Sequence, residues 1–219
     1  MNTFPEAGRP GGSAAITLLV VTVVAYFIQM GAFTDAIRLF ALWPLATPST
    51  INITDGSTLD TGFGIWQLVS YGFLHGGLAH LFFNMFALYM FGMPIERAWG
   101  TRRFLQYYFV CMIGAGLVQL LVAHLAGEIY PTIGASGAVF GLLLAFGVMY
   151  PNARIMLLIP PIPMKAKWFV IVFGLLTLVF GMAGIMPRIA HFAHLGGMLF
   201  GGAMILYWGR QDYYRRRGQ

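Results

Sequence analysis

The chain has 219 residues, 58% of them hydrophobic and only 9% charged, with a formal net charge of +6. A soluble domain carries roughly 25% charged residues, so the composition excludes an ordinary soluble domain and points to lipid as the solvent. The positive balance does not indicate nucleic acid, because the basic residues sit in short clusters between apolar runs and form no single patch.

A helix needs about 20 apolar residues to cross the ~30 Å hydrocarbon layer. Residues 1–13 read as an N-terminal tail. The first apolar run, residues 14–33, is longer than a signal-peptide core and no Ala-x-Ala cleavage site follows it, so it reads as a retained span. Residues 34–77 are too apolar for an ordinary loop, with Leu39, Phe40, Trp43, Trp66, Tyr71 and Phe73 among them. Trp and Tyr favour the headgroup region, so this first loop is expected to lie along one membrane face, partly helical, without crossing. Asn52-Ile53-Thr54 inside it fits a glycosylation acceptor, a triplet too common by chance to carry weight. Further runs follow at residues 78–95, 104–126, 168–186 and 189–208, with a shorter one at 136–150. The only cysteine, Cys111, lies in the third run and excludes an intramolecular disulfide. The predicted fold is an all-α integral membrane protein with six spans in one domain over residues 14–208, followed by a basic tail over 209–219.

Six spans put both termini on one side of the membrane. That side would hold Arg9, Arg97, Arg102, Arg103, Arg154, Lys165, Lys167, Arg210, Arg215, Arg216 and Arg217. The other side keeps only Arg38 and Arg188, together with Asp35, Asp55, Asp60 and Glu128. The positive-inside rule therefore predicts cytoplasmic termini. A bacterial inner membrane fits this count, as do some organelle membranes. The run Arg215, Arg216 and Arg217 reads as an anchor to lipid headgroups.

Polar side chains inside spans are costly and mark function or helix packing. The second span keeps His80 and Asn84, four apart and therefore on one helix face. The fourth opens with Gly134-Ala135-Ser136-Gly137, and the sixth keeps His194. His75 falls in the first loop, His124 near the end of the third span and His191 at the mouth of the sixth. The fourth run, about 15 residues or roughly 22 Å as a helix, is shorter than the bilayer core. With its cytoplasmic end fixed by Pro151 and Arg154, Ser136 is expected at a helix N-terminus inside the membrane. His194 and His80, each a turn or two into its helix from the same side, come to a similar depth. Gly137 and Gly141, and likewise Gly197 and Gly201, form small-residue faces at four-residue spacing that would let the fourth and sixth helices approach closely.

A serine hydroxyl becomes a useful nucleophile when a neighbouring base takes its proton. No Asp or Glu occurs between Glu128 and Asp212, so the candidate is a dyad of Ser136 and His194. The imidazole would then be held by packing, with Phe140 one turn after Ser136 placed to lie on it. The backbone N–H groups of Ser136 and its neighbours at the start of the fourth helix, with side-chain donors from His80 and Asn84, would receive the oxyanion. Taken singly, each residue has a plainer reading. A serine in a helix bonds its own backbone, an intramembrane histidine packs or carries protons, and a glycine pair is generic packing. The joint pattern on the second, fourth and sixth spans is what chance does not supply.

These motifs resemble the rhomboid protease family over nearly the whole chain. The stretch from Phe73 to Met85, which contains His75, His80 and Asn84, is similar to the family's second-helix signature, and Glu96-Arg97-Ala98-Trp99-Gly100 to the end of that helix. Gly134-Ala135-Ser136-Gly137 resembles the nucleophile motif and Ala193-His194-Leu195-Gly196-Gly197 the base motif. The resemblance implies a six-helix core, catalytic Ser136 and His194, and an oxyanion hole lined by His80 and Asn84. It implies single-span transmembrane proteins as substrates, cut within or near the membrane, with no cofactor and with Phe83 facing a lateral entrance near the fifth helix. The family often has Trp-Arg in the first loop where this chain has Trp66-Gln67, and its bacterial members often have Tyr where Phe140 stands. With no seventh helix in view, the minimal six-helix form is expected.

Four rival readings fit the sequence less well. A metalloprotease needs H-E-x-x-H on a helix, which is missing, and an aspartyl protease needs two intramembrane Asp residues where the spans have none. A small transporter would show internal repeats and a midplane site. A non-catalytic rhomboid-like protein that binds membrane helices would keep the spans and glycine faces while losing Ser136 or His194, and this chain keeps both.

Overall fold

The computed structural model describes residues 13–52, 58–156, 161–186 and 190–217. Arg9, Ile53, Thr54, Asp55, Arg188 and Ile189, the expected first residue of the sixth span, lie outside the described residues, as do the side chains of Arg215, Arg216 and Arg217.

The chain is mainly helical. Helix α1 (Ala14–Gly31) is followed after a break at Ala32 by the short α2 (Phe33–Phe40). A two-stranded antiparallel hairpin, β1 (Thr50–Asn52) with β2 (Thr58–Asp60), precedes α3 (Gln67–Ser70) and a 3₁₀ turn at Tyr71–Phe73. Helix α4 (Leu78–Ala87) passes through a π-helical turn at Leu88–Gly92 into α5 (Met93–Trp99). The long α6 (Thr101–Ala126) leads to α7 (Ser136–Met149). A second hairpin, β3 (Arg154–Met156) with β4 (Pro163–Lys165), joins α7 to α8 (Ala166–Met182), and α9 (His191–Arg217) ends the described chain.

The surface is that of a protein dissolved in lipid. Large apolar side chains such as Ile28, Leu125 and Met182 are 69%, 76% and 75% exposed, which water would penalise and hydrocarbon does not. Ala14–Gly31, Leu78–Trp99 and Thr101–Ala126 are long and apolar enough to cross a membrane, while Ser136–Met149 and Ala166–Met182 are apolar but shorter. Helix α7 is apolar all round because it is enclosed by α6, α8, α9 and the π-helical turn.

Several boundaries differ from the sequence reading. The second helix continues past residue 95 to Trp99, because the π-helical turn takes up the mismatch left by Pro94, which has no N–H for the preceding turn. The fifth helix stops at Met182 and not at 186, where left-handed backbone at Gly184 (φ 63°) ends it. The last helix runs on to Arg217, so residues 209–217 continue α9 and do not form a separate tail. The Arg103–Asp212 ion pair at 3.3 Å and the Arg103 guanidinium over the Trp208 ring pin that extension to α6.

The first loop is folded tightly. The buried Trp43 indole N–H donates to the carbonyls of Ile37 and Arg38. Gln67, standing where the family resemblance leads one to look for Arg, accepts from the Trp43 N–H at 3.2 Å and donates to the Gly62 carbonyl at 3.0 Å. This loop then grips the segment ahead of α7. Leu42 and Thr132 exchange backbone hydrogen bonds of 3.0 and 2.9 Å, and the Gly134 N–H donates to the Tyr71 carbonyl at 2.9 Å.

At the opposite end, one buried acid ties three helices together. The Glu96 carboxylate accepts from the Ser13 hydroxyl (2.6 Å), the Ala14 and Ala15 N–H groups (2.8 and 3.0 Å) and the Thr101 hydroxyl (2.9 Å). It thus caps the N-terminus of α1, where the helix dipole favours negative charge. Replacing Glu96 with Ala is expected to cost on the order of 2–3 kcal/mol. Thermal unfolding in detergent checks this, and an unshifted midpoint would refute the anchoring role.

Candidate active site

Ser136 is the first residue of α7 and is half-buried. The turn before it depends on Gly134, whose φ of +123° lies in the region reserved for glycine. A Cβ there would also come within 2.7–2.8 Å of the His80 ring, so glycine permits both the turn and the close approach of that imidazole.

His194 lies one turn into α9, its N–H bonded to the Ala190 carbonyl. Its Nε2 is 2.8 Å from Ser136 Oγ. The Phe140 ring stacks on the imidazole, with centroids 4.2 Å apart and planes 3° from parallel. These two helices can meet because glycines line the closest part of their seam. A Cβ on Gly197 would collide with the Gly137 carbonyl, and one on Gly137 with Ala115 of α6. Gly141 faces Cys111 and lies 3.1 Å, measured from where a Cβ would sit, from the Gly197 carbonyl. Gly201 turns toward Tyr107 and Cys111, so it serves contact with α6 and not the α7 seam that its spacing suggested. The Tyr107 hydroxyl donates to the Gly141 carbonyl at 2.8 Å and locks α6 to α7.

On the α4 side, His80 Nδ1 accepts from the Gly76 N–H at 3.2 Å. A neutral imidazole accepting at Nδ1 carries its proton on Nε2, and that atom faces Gly134 just ahead of Ser136. The Asn84 amide donates one N–H to the His80 carbonyl at 2.9 Å, which leaves its second N–H for other partners. His75 packs edge-on against His80 at 4.9 Å. Burial, with the neighbouring His80 ring adding to it, holds the His75 imidazole down at about 4, so His75 stays neutral at ordinary pH. The Gln29 side chain fixes His75 by bonding both its N–H and its carbonyl. Asn84, Ser136 and Phe140 line one cavity of about 410 Å³ between α4 and α8, together with Phe83, Phe91 and Phe169. His124 is exposed near the end of α6.

Beyond the imidazole lies a group that sequence reasoning did not single out. His194 Nδ1 is 3.2 Å from the Thr177 hydroxyl, which is 3.2 Å from His191 Nδ1 and 3.4 Å from the His191 carbonyl. His191 Nε2 is 3.0 Å from the Ile185 carbonyl. Two signals were present in the sequence. Thr177 is the one hydroxyl residue in α8, and His191 and His194 stand three apart on one face of α9. Among the described residues, no three His, Cys, Asp or Glu side chains gather as a metal site. A hydroxyl bonded to a buried imidazole, beside N–H groups at a helix N-terminus and open to a cavity, is an arrangement suited to acyl transfer.

Comparison with known proteins agrees with the motifs. The family model described as "Rhomboid domain" matches residues 62–211. "Rhomboid protein 1, mitochondrial" of Saccharomyces cerevisiae is 34% identical over 140 residues, covering 62% of this chain and 39% of that protein. "RHOMBOID-like protein 1" of Arabidopsis thaliana is 31% identical over 187 residues, covering 80% of this chain and 44% of that protein. "Rhomboid protease GluP" of Bacillus subtilis is 35% identical over 136 residues, covering 62% of this chain and 24% of that protein. The chain thus spans less than half the length of these relatives.

The seam between α7 and α9 yields a direct test. Gly197→Val places a side chain against the Gly137 carbonyl and is expected to cost about 1–3 kcal/mol while pulling His194 away from Ser136. Unfolding in detergent and the reactivity of Ser136 should fall together. A variant as stable and reactive as the wild type would contradict the close-packing account.

Proposed function

We propose that this chain, which belongs to the rhomboid family, is an intramembrane serine endopeptidase that cleaves single-span transmembrane proteins within or near their membrane segment. The observation that carries this reading is the 2.8 Å contact of Ser136 Oγ with His194 Nε2 at the start of a helix too short to cross the bilayer. In the proposed reaction His194 Nε2 takes the hydroxyl proton as Ser136 Oγ attacks the scissile carbonyl carbon. The oxyanion is received by N–H groups at the start of α7, with His80 and Asn84 as side-chain donors. The imidazolium returns the proton to the leaving amine, and water attacks the acyl-enzyme by the same route in reverse. No step calls for a cofactor.

The cavity between α4 and α8 supports lateral entry of the substrate, past Phe83. Six helical stretches, long and short, and the distribution of Lys and Arg support six spans with both termini in the cytoplasm, and the membrane proposed is a bacterial inner one. The first loop would then rest on the opposite face. A non-catalytic role in binding membrane helices is the competing reading, since the same apolar cavity would serve it.

Labelling by a fluorophosphonate probe, in detergent and in liposomes, separates the two. The wild type should label, Ser136→Ala should not, and His194→Ala should label at least about 100-fold more slowly. A folded wild type that resists the probe in both settings would shift the assignment to the non-catalytic reading.

A further inference from the structure

We infer that Thr177 and His191 are positioning residues that hold His194 in the one tautomer able to take the Ser136 proton, through a one-directional hydrogen-bond chain anchored at the Ile185 carbonyl. This rests on the reading of Ser136 and His194 as nucleophile and base.

The polarity of the chain follows from its end. A neutral imidazole has one N–H and one lone pair, a hydroxyl has one proton, and a carbonyl only accepts. His191 Nε2, at 3.0 Å from the Ile185 carbonyl, must therefore carry its proton there. Its Nδ1 is then a lone pair, 3.2 Å from Thr177 Oγ1. The other His191 atom in reach of that hydroxyl is the backbone carbonyl at 3.4 Å, also an acceptor. Whichever of the two it uses, Thr177 gives its single proton to His191 and turns lone pairs toward His194. His194 Nδ1, at 3.2 Å, must then be the donor. That leaves the lone pair on Nε2, which is the atom facing Ser136 Oγ at 2.8 Å.

The reverse polarity fails at the anchor. It would set the Nε2 lone pair of His191 against the lone pairs of the Ile185 carbonyl at 3.0 Å. It would also put a proton on His194 Nε2, which could then donate to Ser136 but not accept from it. The three side chains between the ends are closed off from solvent, with Thr177, His191 and His194 only 5%, 6% and 8% exposed. In such surroundings a misdirected dipole is not relieved by water. The chain thus does for His194 what a carboxylate does in a triad, fixing tautomer and ring orientation, with neutral groups only.

The test compares Thr177→Val, which keeps the shape and removes the hydroxyl, with Thr177→Ser, which restores it. Two readouts are taken: the rate of fluorophosphonate labelling, and the ring ¹⁵N spectrum of histidine-labelled protein. Thr177→Val should slow labelling by about tenfold or more, Thr177→Ser should stay within about threefold of wild type, and the wild-type His194 ring should carry its proton on Nδ1. Labelling of a folded Thr177→Val at the wild-type rate would overturn the inference, and so would a wild-type His194 protonated on Nε2. If the folded wild type does not label at all, the nucleophile-and-base reading falls, and the ¹⁵N spectrum still decides the polarity of the chain. The same spectrum decides it if Thr177→Val fails to fold.

Discussion

The contact between Ser136 and His194 depends on how closely two backbones approach. The side chains belong to different helices, α7 and α9, and their 2.8 Å separation leaves little tolerance. In lipid there is no hydrophobic force to press helices together, so close contact comes from packing of small residues. Gly197 against the Gly137 carbonyl supplies it, with no space for even one extra carbon. The seam then opens just enough for one large ring, Phe140, to lie flat on the imidazole. The Tyr107 hydroxyl on the Gly141 carbonyl ties α7 to α6, so its position is fixed by α6 and α9 together.

A short α7 brings a difficulty of its own. Backbone that is not helical at membrane depth must find its hydrogen bonds within the protein. Residues 132–134 find them in the first loop, through the Leu42–Thr132 pair and the Tyr71 carbonyl. That loop can act as a support because Trp43 and Gln67 spend their own polar groups on its backbone. It is therefore more than a connection: it sets where α7 begins and hence where Ser136 stands. Gln67 does this as a neutral residue, so the loop's fold does not require an arginine at that position.

The sequence made visible those residues whose cost in lipid has no local remedy. His80, Asn84 and His194 stand out because an imidazole or a carboxamide keeps polar groups that one bond within its own helix does not exhaust, and Ser136 because Gly134-Ala135-Ser136-Gly137 opens its helix. Thr177 was overlooked because a hydroxyl does have such a remedy. Thr22 in α1 takes it, bonding its own Leu18 carbonyl at 2.7 Å, and nothing in the pattern tells one threonine from the other. Only the fold, which brings α8 against α9, shows that Thr177 turns outward to two histidines. The run-on of α9 to Arg217 was hidden for a similar reason, since Asp212 meets a partner more than one hundred positions earlier, Arg103. Glycine spacing marked the helices that pack but not their neighbours, and Gly201 proved to face α6.

Among the described residues no acid bonds the His194 ring, and this has a physical basis. A carboxylate placed in the apolar interior must be stripped of water, and it is tolerated only when its partners are complete. Glu96 shows what that takes: four donors, two of them backbone N–H groups at a helix start, near the end of a span. Among the described residues the His194 ring bonds only the Thr177 and Ser136 hydroxyls, and no Asp or Glu lies between Glu128 and Asp212 in the chain. A series of neutral dipoles needs only a fixed acceptor at its end. The end of α8 creates one. Left-handed backbone at Gly184 turns the chain out of the helix, so the Ile185 N–H folds back to the Phe180 carbonyl at 2.9 Å while its own carbonyl lies beyond the end of α8. That carbonyl meets His191. The stop signal of one helix thus becomes the reference point for the proton on a histidine in the next.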